Sequence, residues 1–185
     1  MVSQAFGHSL APDAILPTYG TNFSRGINFG NAGCTASFPA SFVVPPQGRN
    51  PFALEIRIGE YRRVQKLVQR FLSCFILGGN DFNKYNLFYY SNQTAIEQIL
   101  VPNILRVIKE GIQKLIKYGA MNFLIWGLPA QGCASINLAQ ATSLPFTSAG
   151  DYDQLGCSKL YNNPSIYYNQ KLMDLVDEFR ANYTD

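Results

Sequence analysis

The residues of this chain best suited to chemistry are a side-chain amide and its neighbours, Gly78-Gly79-Asn80-Asp81. An Asn amide offers two N–H donors and no ionisable proton, which suits it to holding negative charge that develops on a substrate oxygen. The four residues close a short apolar run, Phe71-Leu-Ser-Cys-Phe-Ile-Leu77, that reads as a buried strand. Two glycines at the carboxyl end of such a strand let the backbone leave the sheet sharply. The next side chain then falls in the crevice where open α/β sheets bind ligands. Gly-Gly-Asn-Asp is equally an ordinary turn sequence, so its chemistry depends on what the rest of the chain builds around it.

The elements that would position Asn80 follow from periodicity. A helix is expected to begin near Thr94 as N-cap and to run to about Tyr118. Ile96, Leu100, Ile104, Val107, Ile108, Ile112, Leu115 and Ile116 form its apolar stripe. Pro102 should kink it or mark a break. Gly119 ends it, directly before a second apolar strand over 121–126. Strand, helix, strand at this spacing predicts a βαβ unit and a parallel sheet. The turn Gly127-Leu-Pro-Ala-Gln-Gly132 then leaves the same end of the sheet, a long loop follows, and an amphipathic helix is expected over 165–183. Its apolar side would carry Ile166, Leu172, Leu175, Val176 and Phe179. Upstream, 1–50 reads as irregular loops. Phe52, Leu54, Ile56 and Ile58 alternate like a strand, with helical spacing taking over at Tyr61, Val64 and Val68.

With 185 residues the chain has the length of one domain with a sizeable core. Hydrophobic residues make up 47% and charged ones 15%, a composition that excludes disorder. The net charge of +3 comes without a basic tract, which argues against a nucleic-acid partner. Arg57, Arg62, Arg63, Lys66 and Arg70 read as the solvated face of a helix. No apolar stretch is long enough to span a membrane, and the N-terminal Met-Val-Ser-Gln-Ala lacks the pattern of a signal peptide. One histidine and no Cys-x-x-Cys pair make a metal site an unsupported expectation. Glycosylation triplets begin at Asn22, Asn92 and Asn182. Cys133 and Cys157 bracket a polar stretch without periodicity, and a disulfide there would contribute about 3 to 4 kcal/mol. Two unrelated thiols would look the same in the sequence. Cys34 and Cys74 read as small buried hydrophobes.

Five segments in order carry a further signal: Phe23-Ser-Arg-Gly-Ile-Asn-Phe-Gly-Asn-Ala-Gly-Cys-Thr-Ala36, Gly78-Gly-Asn-Asp-Phe82, 118–133, Asp151-Tyr-Asp-Gln-Leu-Gly-Cys157 and Tyr168-Asn-Gln-Lys-Leu172. Together they resemble the plant members of the GDSL-type esterase/lipases, a branch of the SGNH hydrolases, over nearly the whole chain. The resemblance implies a three-layer α/β/α, flavodoxin-like fold with a parallel sheet, and one partial domain over 1–185. It implies ester hydrolysis by a Ser-His-Asp triad without a cofactor, on a small-molecule ester or lipid. A secretory setting goes with it. Gly33, through its backbone N–H, and Asn80, through its side chain, would be donors of the oxyanion hole, while Asp81 would brace the turn.

The departures concern the other half of such a site. The family carries its nucleophile in Gly-Asp-Ser-Leu after the first strand, and the nearest string here is Phe6-Gly-His-Ser-Leu10. That string lacks the Asp and an apolar strand before it, and lies close to Gly33. Ser9 therefore reads as a loop serine, since a serine needs an adjacent base to react. The family's base sits in an Asp-x-x-His near the C-terminus, which this sequence does not contain. His8 precedes Ser9 on an extended segment, where its side chain points the opposite way. The expectation is a fragment or truncated form of a secreted ester hydrolase, inactive by itself, with an incomplete sheet. A non-catalytic descendant that binds an ester, lipid or acylated sugar is the second expectation, and an unstable pseudogene product the third.

Overall fold

The computed structural model describes residues 27, 29, 34–36, 53–68, 72–76, 78–84, 93–144 and 148–183. Residue contacts group the chain into two compact units, Met1–Phe75 with Val107–Ile125 and Ile76–Arg106 with Trp126–Asp185.

In the first unit, Thr35 pairs with Ala53 in an isolated parallel bridge, and the Leu54 N–H donates to the Thr35 carbonyl at 3.0 Å. Helix α1 (Leu54–Val68) starts there. The strand-like alternation over 52–58 is thus overturned: Leu54, Ile58 and Tyr61 are buried at helical spacing. Their partner decides it. A Cβ on Gly111 would stand 2.8 Å from Leu54 Cδ2 and 3.1 Å from Ile58 Cδ1, so the glycine admits these side chains. Arg57 departs from the solvated face expected of it. It is buried and pairs with Glu60 at 2.7 Å, whereas Arg62 and Arg63 are exposed. Cys34 is half-buried rather than fully enclosed.

Strands β1 (Leu72–Ile76) and β2 (Asn122–Trp126) are hydrogen-bonded neighbours, and among the described residues the sheet has these two strands. Elements follow as α2 (Gly79–Lys84), α3 (Gln93–Ala95), a π-turn over Ile96–Leu100, and α4 (Val101–Lys117). Thr94 lies inside α3, so it is not the cap expected. Pro102 has no N–H for the carbonyl four residues back, and its ring crowds that carbonyl. The chain widens just before it: the Val101 N–H reaches the Ile96 carbonyl, five residues back. Leu100, Ile104, Ile108, Ile112 and Leu115 are buried along one stripe. Gly119, at φ 90°, closes α4 as expected. The Ala120 N–H bonds the Leu115 carbonyl at 3.0 Å and the Gly119 N–H the Ile116 carbonyl at 2.9 Å, a paired C-terminal cap.

In the second unit, the stretch after β2 expected as one long loop contains a 3₁₀ turn at Gln131–Cys133, helix α5 (Ser135–Thr142) and a 3₁₀ turn at Ala149–Asp151. α5 has no apolar stripe because the residues it buries are Asn137 and Ala141. Helix α6 (Lys159–Asn182) begins six residues before the expected start at 165 and runs through Pro164. Its first turn is held from outside: the Ser158 N–H donates to the Gly132 carbonyl at 2.9 Å, and Asn162 Oδ1 accepts the Gly132 N–H at 2.7 Å. Buried Tyr161, Ser165, Tyr168, Leu172 and Leu175 form its inner face. Ile166, placed on that face from the sequence, is exposed instead. Among the described residues no helix is long and apolar enough to cross a membrane, and no cluster of His, Cys, Asp and Glu could hold a metal ion.

Candidate active site

Asn80 stands in the first turn of α2, directly after β1. Its side chain is exposed, while Gly78 is buried and Asp81 has no solvent-accessible surface. Gly78 takes φ 105°, a left-handed conformation that a side chain makes costly. Space forbids a side chain as well. A Cβ there would lie 2.8 Å from Tyr168 Cζ and 2.9 Å from its hydroxyl. Tyr168, on α6, is thus seated against the turn, and Phe82 meets its ring edge to face at 5.9 Å between centroids. Burial, and then the charge of Asp81, push the Tyr168 hydroxyl far above the usual tyrosine range. The hydroxyl is thereby held neutral against the turn.

The loop from Gly127 to Cys133 forms the neighbouring wall. A Cβ on Gly79 would stand 3.5 Å from Leu128 Cδ2 and 3.6 Å from Gln131 Nε2. Side-chain amides hold this loop. Asn169 accepts the Leu128 N–H at 2.7 Å through Oδ1 and donates to the Leu128 carbonyl at 2.8 Å through Nδ2, copying the pairing of a neighbouring strand. Asn137 donates to the Gln131 carbonyl at 2.8 Å. Glycines make room for these contacts. A Cβ on Gly127 would meet Asn169 Oδ1 at 2.7 Å, and one on Gly132 would fall on the Ser158 carbonyl oxygen.

The loop also carries a covalent tie, a disulfide between Cys133 and Cys157 with their Cα atoms 4.5 Å apart. Beside it Asp153 Oδ1 accepts the N–H groups of Leu155 and Cys157, both at 2.9 Å, and Gly156 takes φ 78° to close the turn.

Of the residues singled out from sequence, the structure places Asn80 on this turn and Asn182 at the exposed end of α6, where its Nδ2 donates to the Glu178 carbonyl at 2.8 Å. Gly33, His8, Ser9, Asn22 and Asn92 lie outside the described residues. The loop-holding asparagines Asn137, Asn162 and Asn169 were not singled out. Asn169 falls within the matched segment Tyr168–Leu172, a signal that could have found it.

The GDSL-like lipase/acylhydrolase family model matches residues 2–185, and the chain belongs to that family. It is similar to a GDSL esterase/lipase of Medicago truncatula, ENOD8, at 32% identity over 190 residues, covering 90% of this chain and 46% of that protein. An esterase of Hevea brasiliensis is 25% identical over 187 residues, covering 89% and 45%. A GDSL esterase/lipase of Arabidopsis thaliana, At1g54790, is 26% identical over 185 residues, covering 89% and 42%. The chain spans just under half the length of these curated relatives. No solved structure matches.

Proposed function

We propose that the chain forms the charge-stabilising side of a carboxylic ester hydrolase site, within a three-layer α/β/α, flavodoxin-like domain. Asn80 donates from its side chain and Gly33 from its backbone N–H to the oxygen that becomes negative when the ester carbonyl is attacked. The observation that carries this reading is the contrast inside one turn. Asn80 is exposed in a turn whose Gly78 and Asp81 are both buried, so the backbone that presents its amide is fixed before any substrate arrives. Attack belongs to a Ser-His-Asp triad of the family type, with Ser9 outside it. These 185 residues by themselves do not turn an ester over. Secretion, with sugars at Asn22, Asn92 and Asn182, belongs to the same reading.

Joining the chain to Gly-Asp-Ser-Leu and Asp-x-x-His segments of the family type tests the assignment. The chimaera is expected to hydrolyse p-nitrophenyl butyrate, and Asn80→Ala to lower its kcat by about 10²- to 10³-fold. A loss below about fivefold sinks the role given to Asn80. A second reading is a crevice that binds esters without turnover, since His8 beside Ser9 on an extended segment would point away from it. Hydrolysis by the unjoined chain that disappears in Ser9→Ala would remove that reading and restore Ser9 as nucleophile.

A further inference from the structure

A second amide stands beside the Asn80 turn. Gln131 is half-buried in the 3₁₀ turn after β2, with Nε2 3.6 Å from the point a Cβ on Gly79 would occupy. Its orientation follows from what its neighbours can accept. The Gln131 main-chain carbonyl can only accept, and Asn137 lies 2.8 Å from it, so the nitrogen of that buried amide faces Gln131. The same nitrogen is 3.3 Å from the side-chain oxygen of Gln131. That oxygen therefore accepts from Asn137, and Nε2 lies on the side of Gly79. Among the described residues no acceptor takes Nε2. Leu128 Cδ2, 3.5 Å from the same point on Gly79, supplies an apolar wall next to it.

We infer that Gln131 is a substrate-contacting, specificity-determining residue of this site. Its Nε2–H donates to a neutral oxygen flanking the reacting carbonyl, so the site favours esters whose acyl group carries such an oxygen over plain alkyl esters. The amide is uncharged and borders on leucine, conditions that suit a hydroxyl or ether oxygen better than a carboxylate. The inference rests on Asn80 being the donor to the reacting carbonyl. Gln131 then reads the atom beside it.

Methyl lactate and methyl propionate differ by one hydroxyl next to the ester carbonyl, and titrating each into the ¹⁵N-labelled 185-residue chain separates the two amides. The Asn80 side-chain NH₂ signals are expected to shift with both esters. Those of Gln131 should shift with methyl lactate only, which should bind about three- to tenfold more tightly. Gln131→Leu should bring methyl lactate down to the affinity of methyl propionate and leave the latter unchanged. Gln131→Glu keeps the oxygen that Asn137 needs and removes the donor, but its carboxylate can accept from a lactate hydroxyl. It is therefore read with methyl methoxyacetate, an ether that can only accept, against methyl butyrate, and should show no preference between them. Asn80 shifting while Gln131 stays silent, or a preference that survives both variants, overturns the inference and leaves the role of Asn80 standing. A silent Asn80 overturns that role, and the inference with it.

Discussion

The turn after β1 and the loop after β2 adjoin at Gly79 but are held by different means. Gly78–Asp81 is pressed into shape: a glycine at positive φ, a buried aspartate and the ring of Tyr168 leave it one conformation. Gly127–Cys133 is tied instead, by the amides of Asn137, Asn162 and Asn169 and by the disulfide to Cys157. The difference follows from what each must present. A four-residue turn needs few bonds because sterics restrict it. The longer loop has more backbone N–H and C=O groups to satisfy, and with no strand beside it among the described residues side-chain amides take that role.

Four perturbations break or sharpen this contrast. The largest effect is expected in the loop. Gly132→Ala drives a methyl group onto the Ser158 backbone carbonyl, which cannot move without the first turn of α6, so a loss of about 4 kcal/mol is expected in urea unfolding. Little change would mean that the α6 start is looser than its bonds suggest. Removing the disulfide by Cys133→Ser with Cys157→Ser should cost about 3.5 kcal/mol on the chain-entropy account, given a separation of 24 residues. A matching loss on adding reductant to the parent chain would check that the bond, not the substitution, is responsible.

The turn should respond to smaller changes. Gly78→Ala adds a strained φ to a clash with a fully buried ring, together about 3 kcal/mol, and should shift the Asn80 amide signals more than Gly132→Ala does. Equal shifts would erase the contrast. The fourth is a pH effect. Because burial holds the Tyr168 hydroxyl above its ordinary value of 10.0, the native state keeps a proton that the unfolded chain gives up. Stability should therefore be level below about pH 10 and fall above it by about 1.4 kcal/mol per pH unit for this group. Tyr61 and Tyr161, also raised by burial, slope the same way, so the check is the part of the slope that Tyr168→Phe removes.

Much of this was legible in the sequence where one physical cause acts locally. The apolar stripe of α4, its end at Gly119 and the sharp turn at Gly78 follow from periodicity and from the freedom of glycine. The strand reading of 52–58 failed because Leu54 and Ile58 fit a strand as well as a helix until Gly111 receives them. α5 was invisible because it buries an asparagine and an alanine, which leave no hydrophobic period. The start of α6 was hidden by Pro164, whose local preference is overruled by bonds from Gly132 to Ser158 and Asn162.

By itself, the sequence determined the family, the exposed amide at the end of a strand, and the cysteines able to close a loop. Those properties reside in residue types and short spacings. Only the tertiary structure decided that Tyr168 presses on the Asn80 turn, and that Asn169 stands in for a strand beside Leu128. It also decided that Gln131 aims a donor at Gly79. Each of these depends on a partner tens of residues away or on the direction of an amide that looks the same in any sequence. Packing and hydrogen-bond satisfaction, acting across that distance, choose among conformations that local preferences leave equal.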